Sequence, residues 1–570
     1  MKKPVMVALC TVALCGFAQD TRKYIWPEGK MPYADQKHLI AAMTNVSEKS
    51  DFKPDEWRQP YIEWCDAPKT EAKSGICMIL VSGGGYNKCC SVSLVKSWEE
   101  RLRELGVTCV NFVYRTPRPE GLPIWQCAWA DAQRAVRMVR AEAAERGFDP
   151  DKIGVMAMSA GSHLAALLAT SSMTPAYEPV DDLDKQPCNI NFACTFALAY
   201  ALTDGIGTPN ARDGDADDVK LDSVFKFDEK TCPMWMSHGG KDQYSPLAST
   251  KVYRQLRKRK IPGEVHIYPD QGHGAFGFER AVEFMRQMGY FGPVKDTEVL
   301  AKIYASDEKR SKHVKSEIWP KGKIPDEQTK VKQCEPYLEW HFPKELKTKA
   351  IQIIWSGGSY QRCKPEGYAV APVRRYLNEK GMAVVTVKYR VPRPAKPLAK
   401  HVTAWQDIQR AIRIVRSEAP AYGLDPDRIG IMGSSAGGHL ALMGATSSKC
   451  RAYEPIDGLD DIPCDVKWAI AIFPAYALTG GKEEKMKLSP EFFFDEATCP
   501  VLFIHGDADT YSSMNSVMVW EHLRRMGIQG ELHTLATRGH CFQRAAAPGT
   551  GSNTWLDRIW EFMTTKGYSR

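Results

Sequence analysis

The sequence predicts an α/β protein of two consecutive domains, each with a mostly parallel sheet flanked by helices. Short apolar runs rich in β-formers, such as "ICMILV", "VTCVNFVY" and "GEVHIY", alternate with helical patterns such as "WADAQRAVRMVRAEAAERG". This alternation is typical of parallel strands joined by crossover helices. The length of 570 residues exceeds what one hydrophobic core supports.

A chain-long repeat indicates that a whole domain is duplicated. "IWPEGKMP" from Ile25 returns as "IWPKGKIP" from Ile318, and "IGVMAMSAGSHLAA" returns as "IGIMGSSAGGHLAL". Ser159 and Ser435 are 276 residues apart (435 − 159), and later motifs are 267 apart (540 − 273), because the first copy carries extra residues after Thr203. A repeat of this length is a domain and not a solenoid unit.

The repeat sets the domain boundaries. We predict a first domain over 19–303, a polar, lysine-rich linker over 304–315 and a second domain over 316–570. Lys2 and Lys3 precede an apolar run that ends at Phe17, which is the pattern of a signal peptide over 1–18, cleaved near Ala18. We therefore expect an exported protein, periplasmic or secreted; the alternative is a buried N-terminal helix.

Composition excludes several classes of function. Hydrophobic residues make up 44% and charged residues 25%, as in an ordinary globular protein. The net charge of +8 is spread along the chain, which argues against a nucleic-acid partner. No later stretch reaches the roughly 18 apolar residues of a membrane span, so no membrane insertion is expected. The 17 cysteines form no CxxC pair, although Cys450 and Cys464 flank one loop and could pair.

Each copy contains a serine in a sharp turn between a predicted strand and a predicted helix. "GSSAG" around Ser435 fits the G-x-S-x-G pattern, in which small neighbours allow the serine hydroxyl to project above the sheet edge. In the first copy Ala157 replaces the first glycine while Gly161 is retained. We interpret this as a tolerated variant, with Ser159 and Ser435 as nucleophiles.

The acid and the base follow in the order Ser, Asp, His that such a turn predicts. His273 and His540 lie in glycine-containing loops near the end of each copy, from which an imidazole can reach the serine. Asp242 and Asp509 occupy one register in "HGGKD" and "HGDAD", after a strand. The matched histidines earlier in each copy and in mid-strand are interpreted as structural. They are His163, His238, His266, His439, His505 and His533.

Glycine-rich loops after the first parallel strand of each copy are the expected oxyanion holes. "SGGGY" and "SGGSY" lack the G-K-[ST] ending of a phosphate loop, so nucleotide binding is not expected. The predicted backbone donors are Gly84, Gly85, Ala160, Gly358, Ser359 and Ala436. Tyr86 and Tyr360 end these loops and are assigned to substrate binding. Histidines and cysteines do not cluster at ligand spacing, so neither a metal nor a cofactor is predicted.

Together these motifs resemble the α/β-hydrolase superfamily, and within it the bacterial acetyl-esterase, acetyl-xylan-esterase and feruloyl-esterase-like hydrolases. The motifs are the "GGGY" loop, "YRxPRP", the "DxQRA" helix, "SAGxHLA", "YEPxDxxD", the "HG…D" acid loop and the "GH" loop, and they cover nearly all of both copies. The resemblance implies hydrolysis of acyl esters on a polysaccharide or oligosaccharide through an acyl-serine. Serine opens the oxyanion loop here, where the group often has histidine or proline.

The sequence therefore predicts an exported serine esterase with two catalytic domains, acting on acetyl or feruloyl esters. The alternatives are a serine peptidase of the oligopeptidase type, or one active domain beside a degenerate binding or scaffold domain. The copies differ after His540 and in the acidic insertion "TPNARDGDADD" from Thr208, where substrate specificity could differ. The sequence leaves the oligomeric state open.

Overall fold

The computed structural model describes nine segments of the chain. They are residues 22–36, 59–65, 74–89, 92–203, 219–291, 313–327, 331–481, 485–542 and 554–569. The predicted signal peptide, the insertion from Thr208 and residues 543–553 of the divergent stretch after His540 lie outside them. Within the described residues, no helix combines the length and apolar character needed to cross a membrane.

The first domain is a twisted sheet with a parallel centre and an antiparallel edge. Its strand order is β1-β2-β4-β3-β5-β6-β7-β8, parallel from β4 to β8, with β2 and β1 added antiparallel. The strands are β1 Arg22–Tyr24, β2 Tyr61–Cys65, β3 Cys77–Val81, β4 Thr108–Val113, β5 Ile153–Met158, β6 Phe192–Phe196, β7 Met234–Gly239 and β8 Gly263–Tyr268.

Helices pack on both faces of this sheet, because the central strands are apolar on both sides. They are α1 Val92–Glu104, α2 Gln126–Ala141, α3 Ala143–Arg146, α4 Ala160–Ser171, α5 Leu247–Lys258 and α6 Phe278–Gln287. All twelve residues of α4 are buried, which places this helix at the centre of the domain, directly behind the predicted serine.

The second domain repeats this arrangement. Its strands are β9 His313–Glu317, β10 Tyr337–His341, β11 Ile351–Trp355, β12 Ala383–Lys388, β13 Ile429–Ser434, β14 Trp468–Ile472, β17 Val501–Gly506 and β18 Glu531–Leu535, with a small hairpin of β15 Leu478–Thr479 and β16 Lys487–Leu488. Its helices are α7 Ala371–Glu379, α8 Val402–Glu418, α9 Ala436–Thr446, α10 Met514–Arg525 and α11 Thr554–Thr565.

Strand β9 begins within the stretch 304–315 that the sequence assigned to the linker. Cys450 and Cys464 are free thiols, so the disulfide that the sequence allowed is not formed.

The two sheets join edge to edge into one sheet of 16 strands. The junction is the antiparallel pairing of β8 with β18, in which Ile267 faces Leu532 and His266 faces His533. Each domain thereby covers the edge strand that the other would leave exposed.

A buried chain of hydrogen bonds crosses this junction. The Nδ1 atoms of His266 and His533 are 2.8 Å apart, and each Nε2 contacts the glutamate two residues earlier, Glu264 at 2.9 Å and Glu531 at 2.6 Å. Burial lowers the pKa of both imidazoles well below the ordinary value and raises the pKa of both carboxyls to about 8. His266 and His533, two of the histidines that the sequence assigned to structure, therefore link the two domains.

Helices α5 and α10 add ionic contacts beside this chain. Asp507 accepts hydrogen bonds from the Arg257 guanidinium and the Tyr253 hydroxyl, each at 2.7 Å. Arg254 pairs with Glu521, whose carboxylate also accepts from the Thr250 hydroxyl at 3.0 Å. The first copy has Gly240 at the position of Asp507. The carboxylate of Asp507 contacts the other domain and not its own active site, so the first copy can lack it without losing a catalytic group.

We predict that Asp507→Ala will destabilise the pair of domains, because Arg257 would be left largely buried without its carboxylate. The expected loss in free energy of unfolding is about 3 kcal/mol, measured by urea denaturation. Glu496→Ala, which breaks an exposed pair with Lys449, is the control and should leave the free energy of unfolding unchanged. Equal effects of the two substitutions would show that the Asp507 contact does not stabilise the junction.

Candidate active site

Both predicted serines lie in a strained turn between a strand and a buried helix. Ser159 follows β5 and precedes α4, with φ 58° and ψ −123°; Ser435 follows β13 and precedes α9, with φ 57° and ψ −121°. A positive φ is unfavourable for a residue with a Cβ, so the surrounding structure must hold it. This backbone places the hydroxyl at the carboxyl edge of the sheet.

The difference between Ala157 and Gly433 is compensated on the neighbouring strand. A Cβ added at Gly433 would lie 2.1 Å from the Gly437 carbonyl oxygen and 2.5 Å from Trp355 Nε1. Trp355 also donates a hydrogen bond to that carbonyl at 2.8 Å, which fixes it in place. In the first copy Val81 stands beside Ala157 in the same register and makes no such bond. The methyl group of Ala157 is therefore accommodated because Val81, and not a tryptophan, lies beside it.

In the second domain the structure brings the three predicted residues into direct contact. Ser435 Oγ lies 2.8 Å from His540 Nε2, and His540 Nδ1 lies 2.9 and 2.8 Å from the two oxygens of Asp509. This is the arrangement in which an imidazole can remove the serine proton while the carboxylate stabilises the resulting imidazolium.

In the first domain the acid and base are in contact, but the serine is not hydrogen-bonded to the base. His273 Nδ1 lies 2.9 Å from both oxygens of Asp242. Among the hydrogen bonds of the described residues, none joins the Ser159 hydroxyl to His273. Such a bond is often long before substrate arrives.

Each acid also contacts a second, fully buried histidine in addition to the base. His238 Nε2 lies 3.2 Å from Asp242, and His505 Nε2 lies 3.4 Å from Asp509. Burial opposes the charge of both carboxylates, but their two histidine partners hold the pKa of Asp242 well below its usual range and that of Asp509 at about 2. Both acids therefore stay ionised at neutral pH.

The base of the second domain titrates at high pH. Burial alone would lower the pKa of His540, but Asp509 and the neighbouring Cys541 raise it to about 9. The first copy has Gly274 at the position of Cys541. Cys541 has a φ of 62°, which favours glycine.

The glycine-rich loops lie against the serines as an oxyanion hole requires. A Cβ at Gly83 would come within 2.7 Å of Ser159 Cβ, and one at Gly357 would come equally close to Ser435 Cβ. Within the described residues, none of the predicted donor amides donates a hydrogen bond to another protein group; they are those of Gly84, Gly85, Ala160, Gly358, Ser359 and Ala436. Ala160 and Ala436 also begin helices, whose N-terminal dipoles favour negative charge.

The structure contradicts the assignment of Tyr86 and Tyr360 to substrate contact. Both side chains are fully buried, and their hydroxyls lie 2.7 Å from Nδ1 of His163 and His439. They hold the oxyanion loop against the helix behind the serine, and they expose no surface to a substrate.

Two other tyrosines of each copy, which the sequence analysis missed, lie beside the base. Tyr244 packs on His273 at 5.1 Å between ring centres, and its hydroxyl is 3.2 Å from that of Tyr200. Tyr511 packs on His540 at 4.9 Å, and its hydroxyl is 3.3 Å from that of Tyr476. Their recurrence at matched positions of the repeat was the available signal.

Two groups of side chains in the described residues have donor atoms close enough for a metal. One is His401, His439 and Glu491 in the second domain; the other is Glu339, His341 and Glu366. In the first group His439 Nε2 is already 2.9 Å from Glu491, and Lys400 adds a positive charge nearby. The first copy has Trp125 and Val224 in place of His401 and Glu491.

The parallel sheet, the strained serine turn and the order of serine, acid and histidine define two α/β-hydrolase domains. Residues 66–204 and 338–461 match the family profile described as BD-FAE. Residues 400–567 match the prolyl oligopeptidase family, Peptidase_S9. The resemblance to ester-hydrolysing α/β-hydrolases inferred from the motifs is confirmed.

Curated relatives include proteins named as esterases. The chain is 26% identical over 264 residues to endo-1,4-beta-xylanase B of Butyrivibrio fibrisolvens, covering 44% of this chain and 37% of that protein. It is 35% identical over 175 residues to esterase LipQ of Mycobacterium tuberculosis, covering 28% and 39%. It is 35% identical over 231 residues to an acetylxylan esterase of Xylanibacter ruminicola, covering 38% and 43%. The chain thus spans less than half the length of these relatives.

We predict that Gly433→Ala will disrupt the second site, whereas Ala157→Gly will change the first little. The added methyl group must displace the Gly437 carbonyl, and a shift of about 1 Å at a catalytic group can cost about 100-fold in rate. The measurement is ester hydrolysis by chains in which the other nucleophile is alanine.

The double substitution Gly433→Ala/Trp355→Val should recover part of the loss, because it removes the indole that holds the carbonyl. Failure of this double variant to recover any activity would contradict the proposed compensation.

We predict that hydrolysis by the second site, measured in Ser159→Ala, rises with pH up to about 9. His540 must be neutral to accept the serine proton, and it is neutral only above its raised pKa. Cys541→Gly should move the midpoint of kcat/KM to lower pH, because it removes one of the groups that raise this pKa. An unchanged midpoint would show that Cys541 does not act on the base.

Proposed function

We propose that the chain is an exported esterase whose two domains both hydrolyse acyl esters, acetyl or feruloyl, on polysaccharides or oligosaccharides. The observation that carries the proposal is the contact geometry of Ser435, His540 and Asp509, beside loop and helix amides that have no acceptor among the described residues. The likeness to an acetylxylan esterase supports the substrate class. Lys2, Lys3 and the apolar run after them support export.

The first half of the proposed reaction forms an acyl-serine. Ser435 Oγ attacks the ester carbonyl while His540 Nε2 takes the hydroxyl proton, and Asp509 stabilises the imidazolium. The carbonyl oxygen becomes an oxyanion that accepts hydrogen bonds from the amides of the glycine-rich loop and of Ala436. The C–O bond to the sugar then breaks, and His540 gives its proton to the leaving alkoxide.

The second half hydrolyses the acyl-serine and regenerates the free enzyme. Water attacks the acyl carbon, His540 takes its proton, and the released Ser435 oxygen is reprotonated as the acid product leaves. Ser159, Asp242 and His273 would perform the same steps in the first domain, after the serine turns toward the base. Two sites on one chain would favour a polymer, because the second engagement becomes intramolecular.

Two alternatives each have an observation in their favour. The match of residues 400–567 to the prolyl oligopeptidase family supports a peptidase activity of the second domain. The missing bond between Ser159 and His273 supports a first domain that binds substrate without hydrolysing it. Two fluorophosphonate labels per chain would favour two active domains, and one label would favour this alternative.

The proposal is tested by acetate release from acetylated xylan. Each of Ser159→Ala and Ser435→Ala should retain part of the activity, and the double variant should lose about 10⁴-fold or more, because the nucleophile is absent from both sites. Feruloylated oligosaccharides and a chromogenic peptide are the parallel substrates. No acetate release by the unmodified chain would overturn the acetyl-ester assignment, and peptide cleavage lost in Ser435→Ala would establish the peptidase.

A further inference from the structure

Lys400 lies beside the aromatic side chains that border the base of the second site. Lys400 Nζ is 3.3 Å from the centre of the Tyr476 ring. Tyr476 in turn contacts Tyr511, which packs on His540. Lys400 is thus two side chains away from the base, and in the described residues no carboxylate lies within 4.0 Å of its ammonium group.

The environment of Lys400 disfavours an unpaired charge. Burial lowers its pKa, and the nearby Arg393 lowers it further by repulsion, while the Tyr476 ring and Glu491 act in the opposite direction. Glu491 is occupied by His439 at 2.9 Å. Arg393 is exposed and also has no acidic partner within the described residues. A half-buried cation with a second cation nearby gains from an anion placed close to both.

The repeat shows that this charge is specific to the second copy. Ile124 stands where Lys400 does, and Arg118 is matched to Arg393, so the first domain keeps one of the two cations. Trp125 and Val224 replace the neighbouring His401 and Glu491. Of the four matched positions in the first domain, three are therefore apolar and only Arg118 is charged.

We propose that Lys400 and Arg393 form a carboxylate-binding subsite, so that the second domain selects esters whose sugar or acyl group carries a carboxylate. This selectivity rests on the proposed esterase function. A carboxylate bound by the two side chains would accept hydrogen bonds from both and balance their positive charge. Recognition then acts on binding of the substrate, and the triad performs the same chemistry on charged and neutral esters.

The acyl side is tested with Ser159→Ala, in which only the second domain has a nucleophile. The probes are 4-nitrophenyl hydrogen succinate and the neutral 4-nitrophenyl butyrate. Lys400→Ile introduces the residue of the first copy and should reduce the succinate-to-butyrate ratio of kcat/KM about tenfold, mainly through KM. Lys400→Arg should retain the ratio, and 1 M salt should weaken it.

The sugar side is tested by binding, which does not depend on turnover. The Ser159→Ala/Ser435→Ala chain is titrated calorimetrically with xylotriose and with xylotriose that carries one glucuronic acid. The acidic ligand should bind more tightly, and Lys400→Ile should remove most of that difference. Lys449→Ile, on the exposed surface of the same domain, controls for net charge. It should change neither the succinate-to-butyrate ratio of kcat/KM nor the difference in affinity between acidic and neutral xylotriose.

A Lys400-dependent preference in either arm supports the subsite and identifies which part of the substrate carries the carboxylate. The subsite is overturned if Lys400→Ile changes neither the succinate-to-butyrate ratio nor the difference in affinity between the two xylotriose ligands. It is also overturned if Lys449→Ile lowers these preferences as much as Lys400→Ile does. Absence of hydrolysis of every ester would overturn the proposed function alone, because the binding arm still reports on the subsite.

Discussion

Each site depends on holding one serine at a positive φ between a strand and a helix. This conformation is unfavourable by itself, and close packing maintains it: the oxyanion loop lies against the serine from one side and the buried helix from the other. Glycines occur where another backbone comes nearest, as at Gly161, whose added Cβ would lie 2.5 Å from the Ser82 carbonyl oxygen. The oxyanion hole, the helix dipole and the reach of the histidine all follow from this turn.

The junction of the domains follows a different constraint. Edge strands β8 and β18 each carry a buried histidine and glutamate, which could not remain in an apolar interface without partners. Their antiparallel register places the two histidines face to face, so that each completes the other's hydrogen bonds. The two domains therefore depend on each other for burial of these groups, while each acid and base pair is formed within one domain.

The two copies have diverged around a shared framework. The triad positions, the buried tyrosine and histidine behind the serine, and the paired tyrosines beside the base occur in both. The differences lie in the layer around them: Trp355 with Gly433 against Val81 with Ala157, Cys541 against Gly274, and Lys400 against Ile124. These changes alter the packing of the turn, the pKa of the base and the charge of the rim, while the contact between acid and base is kept in both domains.

The sequence by itself determined the duplicated α/β fold, the serine turns and the contact of Asp242 with His273 and of Asp509 with His540. Strand periodicity, small-residue turns and the order of motifs are local or repeated signals that one chain can show. Tertiary structure alone decided that Tyr86 and Tyr360 are buried, that Tyr244 and Tyr511 lie beside the bases, and that His266 meets His533. These features depend on which side chains distant in sequence face each other. Residue type and spacing do not specify that, because it is fixed only when the sheets and helices pack.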